Sequence, residues 1–282
     1  MKKESRQNEM LTMEDCFSLE GKSALIMGGA GKMAESFSRT LLHAGCERLV
    51  LTDIDPGRLA KAVAKLSSEF PGRRIRGRRC DAADERQIKG LASDLKKKAQ
   101  PLDIFIYAVL SKPGDYYASL ADYKPSVWDK ALKGNLSGAF LATQALLPLL
   151  RPAARIVFIG SVYAIVSPDL RIYKKVKSNL YGGKHPLTLP AVYPAAKSGL
   201  IGLGRYLAVY LADRDIRVNI LIPGGVFDFQ DESFYREYIK RVPLGRMAVW
   251  SDYNGAILFL ASEASRYMTG QVLVVDGGLS AW

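Results

Sequence analysis

Two regimes of apolar spacing alternate along the chain. Short apolar runs of strand length recur between longer stretches in which apolar residues return every three or four positions. The first run is Ser23-Ala-Leu-Ile-Met27, which ends in glycines, and residues 31–44 follow with helical spacing, placing Met33, Phe37, Leu41 and His43–Ala44 near one side. The alternation continues with a strand over 48–52 and a helix opened by Asp55, Pro56 and Gly57 and running to about Ser68. Pro56 suits its first turn, where no backbone N–H is needed. A short strand in 74–79, a helix over 84–99 and a strand over 103–107 come next. The spacing then predicts a long helix over 126–149, a strand over 155–159, a second long helix over 191–212, a strand over 216–222, a helix over 252–261 and a strand over 271–275. Strands separated by helices at this interval form a parallel sheet with helices on both faces. The fold class is therefore α/β, in one doubly wound domain, since no internal repeat or low-complexity linker divides the chain. The 191–212 helix is apolar nearly all round, with Leu200, Ile201, Leu203, Leu207, Val209 and Leu211. Such a helix needs cover on two sides, the sheet and a subunit partner. Residues 1–18 are polar without a sustained period and read as an N-terminal arm or loosely held tail.

Composition narrows the classes. A chain of 282 residues buries a sizeable core without a disulfide or metal staple. Hydrophobic residues at 48% and charged residues at 24% exclude a disordered chain or a coiled-coil rod. No apolar run approaches the ~18 residues that a membrane-spanning helix needs. Lys2 and Lys3 have no apolar segment behind them, so a secretory signal is not expected. Cys16, Cys46 and Cys80 are read as reduced thiols, which points to the cytoplasm. With only His43 and His185 and no ligand spacing, neither a metal site nor a histidine-based triad is expected.

The net charge is +12, and the excess is partly local. Arg73, Arg74, Arg76, Arg78 and Arg79 crowd one segment. Lys96, Lys97 and Lys98 end a helix, and Lys174, Lys175 and Lys177 sit in a loop-like stretch. A solvated basic surface is the favoured reading. No zinc-finger or helix-turn-helix signature accompanies the charge, so a nucleic-acid partner is not expected.

Chemistry enters at two ends. Gly28, Gly29 and Gly31 lie between a strand and a helix, where glycine lets a pyrophosphate approach backbone N–H groups. Asp53 ends the second strand, where a carboxylate accepts from ribose hydroxyls and repels a 2′-phosphate. Ile54 brings no cation for that phosphate, so NAD is favoured over NADP, although Lys32 and Arg58 are nearby cations that soften the preference. Asp81 is read either as an acceptor for the adenine amino group or as a helix cap.

At the other end, Tyr193 and Lys197 stand four residues apart, on one helix face. A cation beside a phenol favours phenolate, as a general acid/base near neutral pH requires. Ser161 follows a strand at its carboxyl end, where doubly wound folds bind ligands. Asn135 sits inside a long helix despite poor propensity. Pro223-Gly224-Gly225 follows a strand at the same sheet edge.

From about residue 19 to 282 the chain resembles the short-chain dehydrogenase/reductase family. The resemblance is carried by GKSALIMGGAGKMAE, LVLTDID, GNLSGAF, IVFIGSVYA, YPAAKSGLIGLGRYLA, IRVNILIPGGV, PLGRMA and LFLASEASRYMTGQVLVVDGG. It implies a Rossmann-like sheet of seven strands, a nicotinamide cofactor and the tetrad Asn135, Ser161, Tyr193 and Lys197. In that scheme Tyr193 exchanges a proton with the substrate oxygen and Ser161 hydrogen-bonds that oxygen. Lys197 holds the nicotinamide ribose and lowers the Tyr193 pKa, and Asn135 supports a water linking Lys197 to solvent. The cofactor would meet Gly28, Gly31, Lys32, Met33, Asp53, Ile54, Asp81, Ala82, Ala108, Tyr193, Lys197, Pro223, Gly224 and Val226. A homodimer or homotetramer through the two long helices is also implied. The chain departs from the pattern at Met27, at Ala34, and at Tyr107-Ala108-Val109-Leu110, where the family often has Asn-Asn-Ala-Gly. The last two departures put cofactor affinity in question.

Thirty-one residues separate Ser161 from Tyr193, against about a dozen in the family pattern. The excess, residues 166–188, is either a solvated loop or a lid over the substrate that attracts a phosphate, carboxylate or nucleotide. The segments around 161–173 and 223–248 resemble a subgroup similar to acylneuraminate and flagellin-modification dehydrogenases, which implies a sugar-like secondary alcohol. Tyr163, Phe227, Phe229, Phe234 and Tyr235 are candidate pocket residues, some of them ordinary packing. The leading expectation is an NAD-dependent oxidoreductase that interconverts a secondary alcohol and a ketone. The alternatives are a 3-oxoacyl thioester reductase using NADPH and a catalytically silent scaffold.

Overall fold

The computed structural model describes residues 10–176, 179 and 185–282. Seven strands, β1 (Ser23–Met27), β2 (Arg48–Asp53), β3 (Arg74–Arg79), β4 (Leu102–Tyr107), β5 (Leu150–Ile159), β6 (Arg217–Pro223) and β7 (Val272–Val275), form one sheet in the order β3-β2-β1-β4-β5-β6-β7. Every pairing is parallel. The expected doubly wound α/β domain is therefore present. β1 and β4 are buried along their whole length because helices cover both faces. β3, at the edge, carries arginines and is exposed at most positions, which discourages edge-to-edge pairing. Strand order reverses between β1 and β4, and that reversal opens a crevice at their carboxyl ends.

Nine α-helices lie among the described residues: α1 (Met13–Phe17), α2 (Lys32–His43), α3 (Pro56–Glu69), α4 (Glu85–Lys97), α5 (Pro125–Leu132), α6 (Gly138–Leu146), α7 (Val192–Tyr210), α8 (Glu232–Ile239) and α9 (Asn254–Ala261). One core packs α2, α3 and α9 through Phe37, Leu41, Leu66 and Ile257 against Ile26, Leu49 and Ile106. The other packs α4, α6 and α7 through Leu91, Ala142, Leu200 and Leu207 against Leu25, Phe105 and Phe158.

The structure departs from the sequence pattern in three places. The helix expected over 126–149 is broken: a π-helical segment, Lys133–Ser137, separates α5 from α6, and a 3-10 turn ends it. Apolar spacing does not reveal an inserted residue in a turn. β5 begins at Leu150 rather than Arg155, with a register shift against β4 between Leu102 and Ile104. Pro152 and Ala153, the latter at φ 62°, sit in that irregular stretch and hide the strand from pattern reading. Within the expected arm, α1 carries a capping box from Thr12 and Asp15, and the buried Leu19 beyond it donates its N–H to the Ala44 carbonyl. Cys46 and Cys80 are buried free thiols, pushed by burial up to about 12 and about 11, so neither supplies a nucleophile. No helix among the described residues is long and apolar enough to cross a membrane.

Candidate active site

The crevice at the β1–β4 reversal is built from backbone. Gly28 takes φ 81°, and a Cβ there would lie 2.8 Å from the Ala108 carbonyl oxygen. Only glycine satisfies both conditions at once. The Gly28 and Gly29 N–H groups donate to the Thr52 carbonyl at 2.8 Å, tying the loop to β2. Gly31 then starts α2 with no side-chain cap, which leaves the first-turn N–H groups for an anion. Ala108 continues β4 with its N–H on the Met27 carbonyl. Met33 is half-buried in the α2–α3–α9 core.

Asp53 is half-buried at the end of β2. One carboxylate oxygen accepts from the Ala30 N–H at 3.1 Å, the other from the Asp55 N–H at 3.1 Å. A carboxylate has about four acceptor positions, so about two remain for ribose hydroxyls. The glycine cradle, the uncapped helix start and this carboxylate together fit a dinucleotide. Two cations lie at the same end. Arg58 donates to the Ala30 carbonyl at 3.0 Å, and Arg79 donates to the carbonyl of the exposed Ile54 at 3.3 Å. Arg79 was visible in the sequence only as part of a charge run. Lys32 is ion-paired with Asp228, so it joins the glycine loop to the segment after β6.

Asp81 does not cap α4. Its carboxylate accepts from the Ala83 N–H at 2.8 Å, and Asp84 takes the cap by accepting from Arg86 and Gln87. Ala82 is buried, and its carbonyl lies where a side chain on Gly138 would go. Tyr107, which opens the Tyr107–Leu110 departure from the family pattern, is fully buried. Its ring meets Phe105 and Phe158 edge-on at 6.4 Å, and its hydroxyl donates to the Gly134 carbonyl. The bulk goes into the α4–α6–α7 core. Leu110 is half-exposed.

The catalytic candidates converge on the carboxyl ends of β4 and β5. Lys197 is buried on α7, one turn beyond Tyr193, and its ammonium donates to the Ile159 carbonyl at 2.8 Å and the Val109 carbonyl at 3.4 Å. Burial pushes that ammonium down to about 8. Ser161 lies two residues beyond Ile159, and its hydroxyl accepts from the Tyr163 N–H at 3.2 Å. Asn135 lies in the π segment. Its amide donates to the Ala131 carbonyl at 2.9 Å and the Ser111 carbonyl at 2.8 Å, and its oxygen accepts from the Ser111 N–H at 2.9 Å. The amide competes for an i−4 carbonyl, and the widened turn aims it at the chain two residues past Val109. Gly134 permits that approach, since a Cβ there would lie 2.4 Å from the Ser111 Cβ.

Tyr193 packs on the buried cluster of Tyr116, Ala131 and Val192, which Tyr117 and Trp128 also cover. The Tyr116 phenol is buried with no hydrogen-bond partner among the described residues. Tyr163 is half-buried against the α4–α6–α7 core, and the Tyr173 ring meets Phe234 at 5.2 Å. Tyr173 belongs to the 166–188 segment. Beside it, Ile172 is buried with Phe234, Tyr238 and Met247, and Asp169 pairs with Arg171 and Arg241. Farther on, His185 approaches Asp115 at 3.4 Å. The described ends of the insert are therefore docked; Lys177 and Lys184 lie outside the described residues.

Pro223 is buried at the end of β6, Gly224 donates to the Val275 carbonyl, and Gly225 donates to the Tyr238 hydroxyl at 2.6 Å. Val226 bridges to Ala248. Among the aromatic candidates, Phe234 is packing, whereas Phe227 and Phe229 are exposed and meet at 5.5 Å. Lys112, whose ammonium lies 5.7 Å from the Tyr117 ring, joins this side without any sequence signal. A cavity of about 170 Å³ lined by Gly224, Tyr238, Arg246, Tyr253 and Asp276 contains none of the four catalytic candidates.

Residues 22–174 match the short chain dehydrogenase family profile, and residues 179–280 match a profile described as enoyl-(acyl carrier protein) reductase. A 3-oxoacyl-[acyl-carrier-protein] reductase of Thermotoga maritima is 30% identical over 93% of this chain and 98% of its own length. The 2-dehydro-3-deoxy-D-gluconate 5-dehydrogenase of Escherichia coli is 29% identical over 93% and 96%. Among solved structures, a gluconate 5-dehydrogenase from Burkholderia cenocepacia in complex with NADP and tartrate superposes with a TM-score of 0.81 at 25% identity, covering 96% of this chain and 100% of that one. A short chain dehydrogenase from Leptospira borgpetersenii with bound NAD+ has a TM-score of 0.80 at 27% identity, covering 97% and 98%. With the fold, the glycine cradle and these matches in agreement, the chain belongs to the short-chain dehydrogenase/reductase family of NAD(P)-dependent oxidoreductases.

Proposed function

We propose that this protein is an NAD-preferring dehydrogenase/reductase that interconverts a secondary alcohol and a ketone on a polar, sugar-like substrate, in the manner of the acylneuraminate and flagellin-modification subgroup. The observation that carries the reading is the buried Lys197 ammonium, one helical turn beyond Tyr193 and fixed by the Ile159 and Val109 carbonyls. A nicotinamide dinucleotide bound in the crevice supplies the hydride transfer. In oxidation, Tyr193 takes the proton from the alcohol oxygen, and in reduction it returns it. Ser161 donates a hydrogen bond to the same oxygen. Lys197 favours the phenolate of Tyr193 through its charge. Asn135 holds the Ser111 backbone, two residues past the Val109 carbonyl that the ammonium reaches, and supports a water that links Lys197 to solvent. Asp53 supports the NAD preference through its remaining acceptor positions. The exposed Tyr206, Val209 and Tyr210 of α7 support a homodimer or homotetramer.

Replacing Tyr193 by Phe removes the transferable proton and lowers turnover at least ~100-fold. Steady-state rates with a panel of sugars and sugar alcohols check this; near-normal turnover would remove Tyr193 from its role. A second reading, a 3-oxoacyl thioester reductase using NADPH, draws on Arg58 and Arg79 beside Asp53 and on the Thermotoga maritima relative. Preference for NADPH with an acyl thioester would select it.

A further inference from the structure

We infer that Tyr238 and Tyr253 are positioning residues for the nicotinamide: their phenols grip the two ends of one peptide group, Gly224–Gly225, and so set the backbone that faces the dinucleotide. The inference deepens the proposed function and rests on its dinucleotide occupying the crevice.

The stretch after β6 runs between the two ends of the site. At its start, Gly160, the residue before Ser161, donates to the Leu221 carbonyl at 2.8 Å. At its far end, Asp228 is ion-paired with Lys32 beside the glycine loop. Between them the backbone groups are committed one by one. The Gly224 N–H donates to the Val275 carbonyl at 2.9 Å, the Gly225 carbonyl accepts from the Ala248 N–H at 3.0 Å, and the Val226 carbonyl accepts from the Gln230 amide at 2.7 Å. The Val226 N–H has no acceptor among the described residues, which leaves it to a ligand oxygen such as that of a carboxamide.

The Gly224 carbonyl and the Gly225 N–H belong to a single planar peptide unit, and in its trans form they point opposite ways. The Tyr253 hydroxyl donates to that carbonyl at 3.1 Å, and the Tyr238 hydroxyl accepts from that N–H at 2.6 Å. The plane cannot turn about its long axis without breaking both contacts. Little else resists the turn, because neither glycine carries a side chain and the cavity of about 170 Å³ opens against both of them. The two grips come from different packing clusters. Tyr238, on α8, is buried with Ile172, Phe234, Val242 and Met247. Tyr253 ends the 3-10 turn Trp250–Tyr253 and is buried in the α2–α3–α9 core. Gly225 is required for the approach, since a Cβ there would lie 2.6 Å from the Tyr238 Cζ. Burial pushes the Tyr238 phenol up to about 12 and that of Tyr253 up as well, so both hydroxyls keep their protons at working pH.

ADP-ribose carries the adenosine, pyrophosphate and second ribose of NADH without the nicotinamide. The test is calorimetric titration of the full chain, Tyr253→Phe and Tyr238→Phe with NADH and with ADP-ribose, or with their 2′-phosphorylated forms if those bind tighter. The unaltered protein binds NADH at least ~10-fold tighter than ADP-ribose. Each variant loses one hydrogen bond to the peptide group, which weakens NADH roughly 5-fold and leaves ADP-ribose within about twofold. A purely structural role for the phenols would weaken both ligands alike and leave their ratio alone. Equal losses for the two ligands, no loss in either variant, or equal binding of NADH and ADP-ribose by the unaltered protein would overturn the inference while the dehydrogenase reading stands. Should one variant fail to fold, as judged by thermal melting, the other carries the same readout, and failure of both would assign the hydroxyls to folding and overturn the inference. If the unaltered protein binds none of these ligands, the inference and the dinucleotide reading fall together.

Discussion

The cofactor half and the substrate half of this molecule are built on different physics. Around β1, β2 and the start of α2, position is set by backbone: two glycine N–H groups on one carbonyl, a helix start without a cap, and a carboxylate buttressed by two N–H groups. On the Tyr193 side position is set by side chains of three separate segments, residues 111–124, the described residues of the 166–188 insert and the α8 region, joined by Asp169–Arg241, His185–Asp115 and the tilted Tyr173–Phe234 ring pair. Backbone recognition tolerates few substitutions and suits a ligand that never changes. Side-chain walls are replaceable one residue at a time, which is where a family alters its substrates.

The comparison predicts a large penalty in the first half and a small one in the second. Gly28→Ala places a Cβ 2.8 Å from the Ala108 oxygen at a positive φ. Strain there costs on the order of 1–3 kcal/mol, and dinucleotide affinity falls at least ~10-fold. Titration of the variant with NADH checks this, and unaltered affinity would mean that the loop is not a cradle.

Asp169→Asn, by contrast, loosens one anchor of the insert. The melting temperature falls by less than about 3 °C, cofactor affinity is unchanged and substrate KM rises several-fold. Arg171, and after it Arg241, hold the Asp169 carboxyl well below the usual carboxylate range. A carboxyl depressed in the folded state contributes stability above its unfolded pKa, so the anchor acts in full above about pH 4 and is lost as pH falls further. A KM that does not move would sever the insert from the substrate site.

How much was legible in the sequence follows the same division. The strand-helix alternation placed all seven strands because fully covered parallel strands are continuous apolar runs, and the glycines, Asp53, Tyr193 and Lys197 fall at fixed positions on that scaffold. The π segment around Asn135 was not legible as such. What betrayed the site was a poor helix former in mid-helix, and the cause is the competition of its amide for the Ala131 and Ser111 carbonyls. Asp84 rather than Asp81 caps α4 because both carboxylates precede the helix and sequence alone does not rank them. Tyr107 departs from the family pattern at the crevice, but its alternation on β4 turns the ring into the core, where Gly134 accepts its hydroxyl. Tyr116 and Lys112 reach the Tyr193 side from an irregular segment that carries no period, so no pattern announced them.

The central claim is that the crevice at the β1–β4 reversal holds a dinucleotide whose ribose is read by Asp53. Calorimetric titration of the purified protein with NADH and NADPH, side by side, tests it most directly. The account predicts NADH binding at least ~10-fold tighter than NADPH, because the carboxylate accepts from free ribose hydroxyls and repels a 2′-phosphate. Equal or tighter NADPH binding would transfer the ribose end to Arg58 and Arg79, and absence of binding by either would contradict the account as a whole.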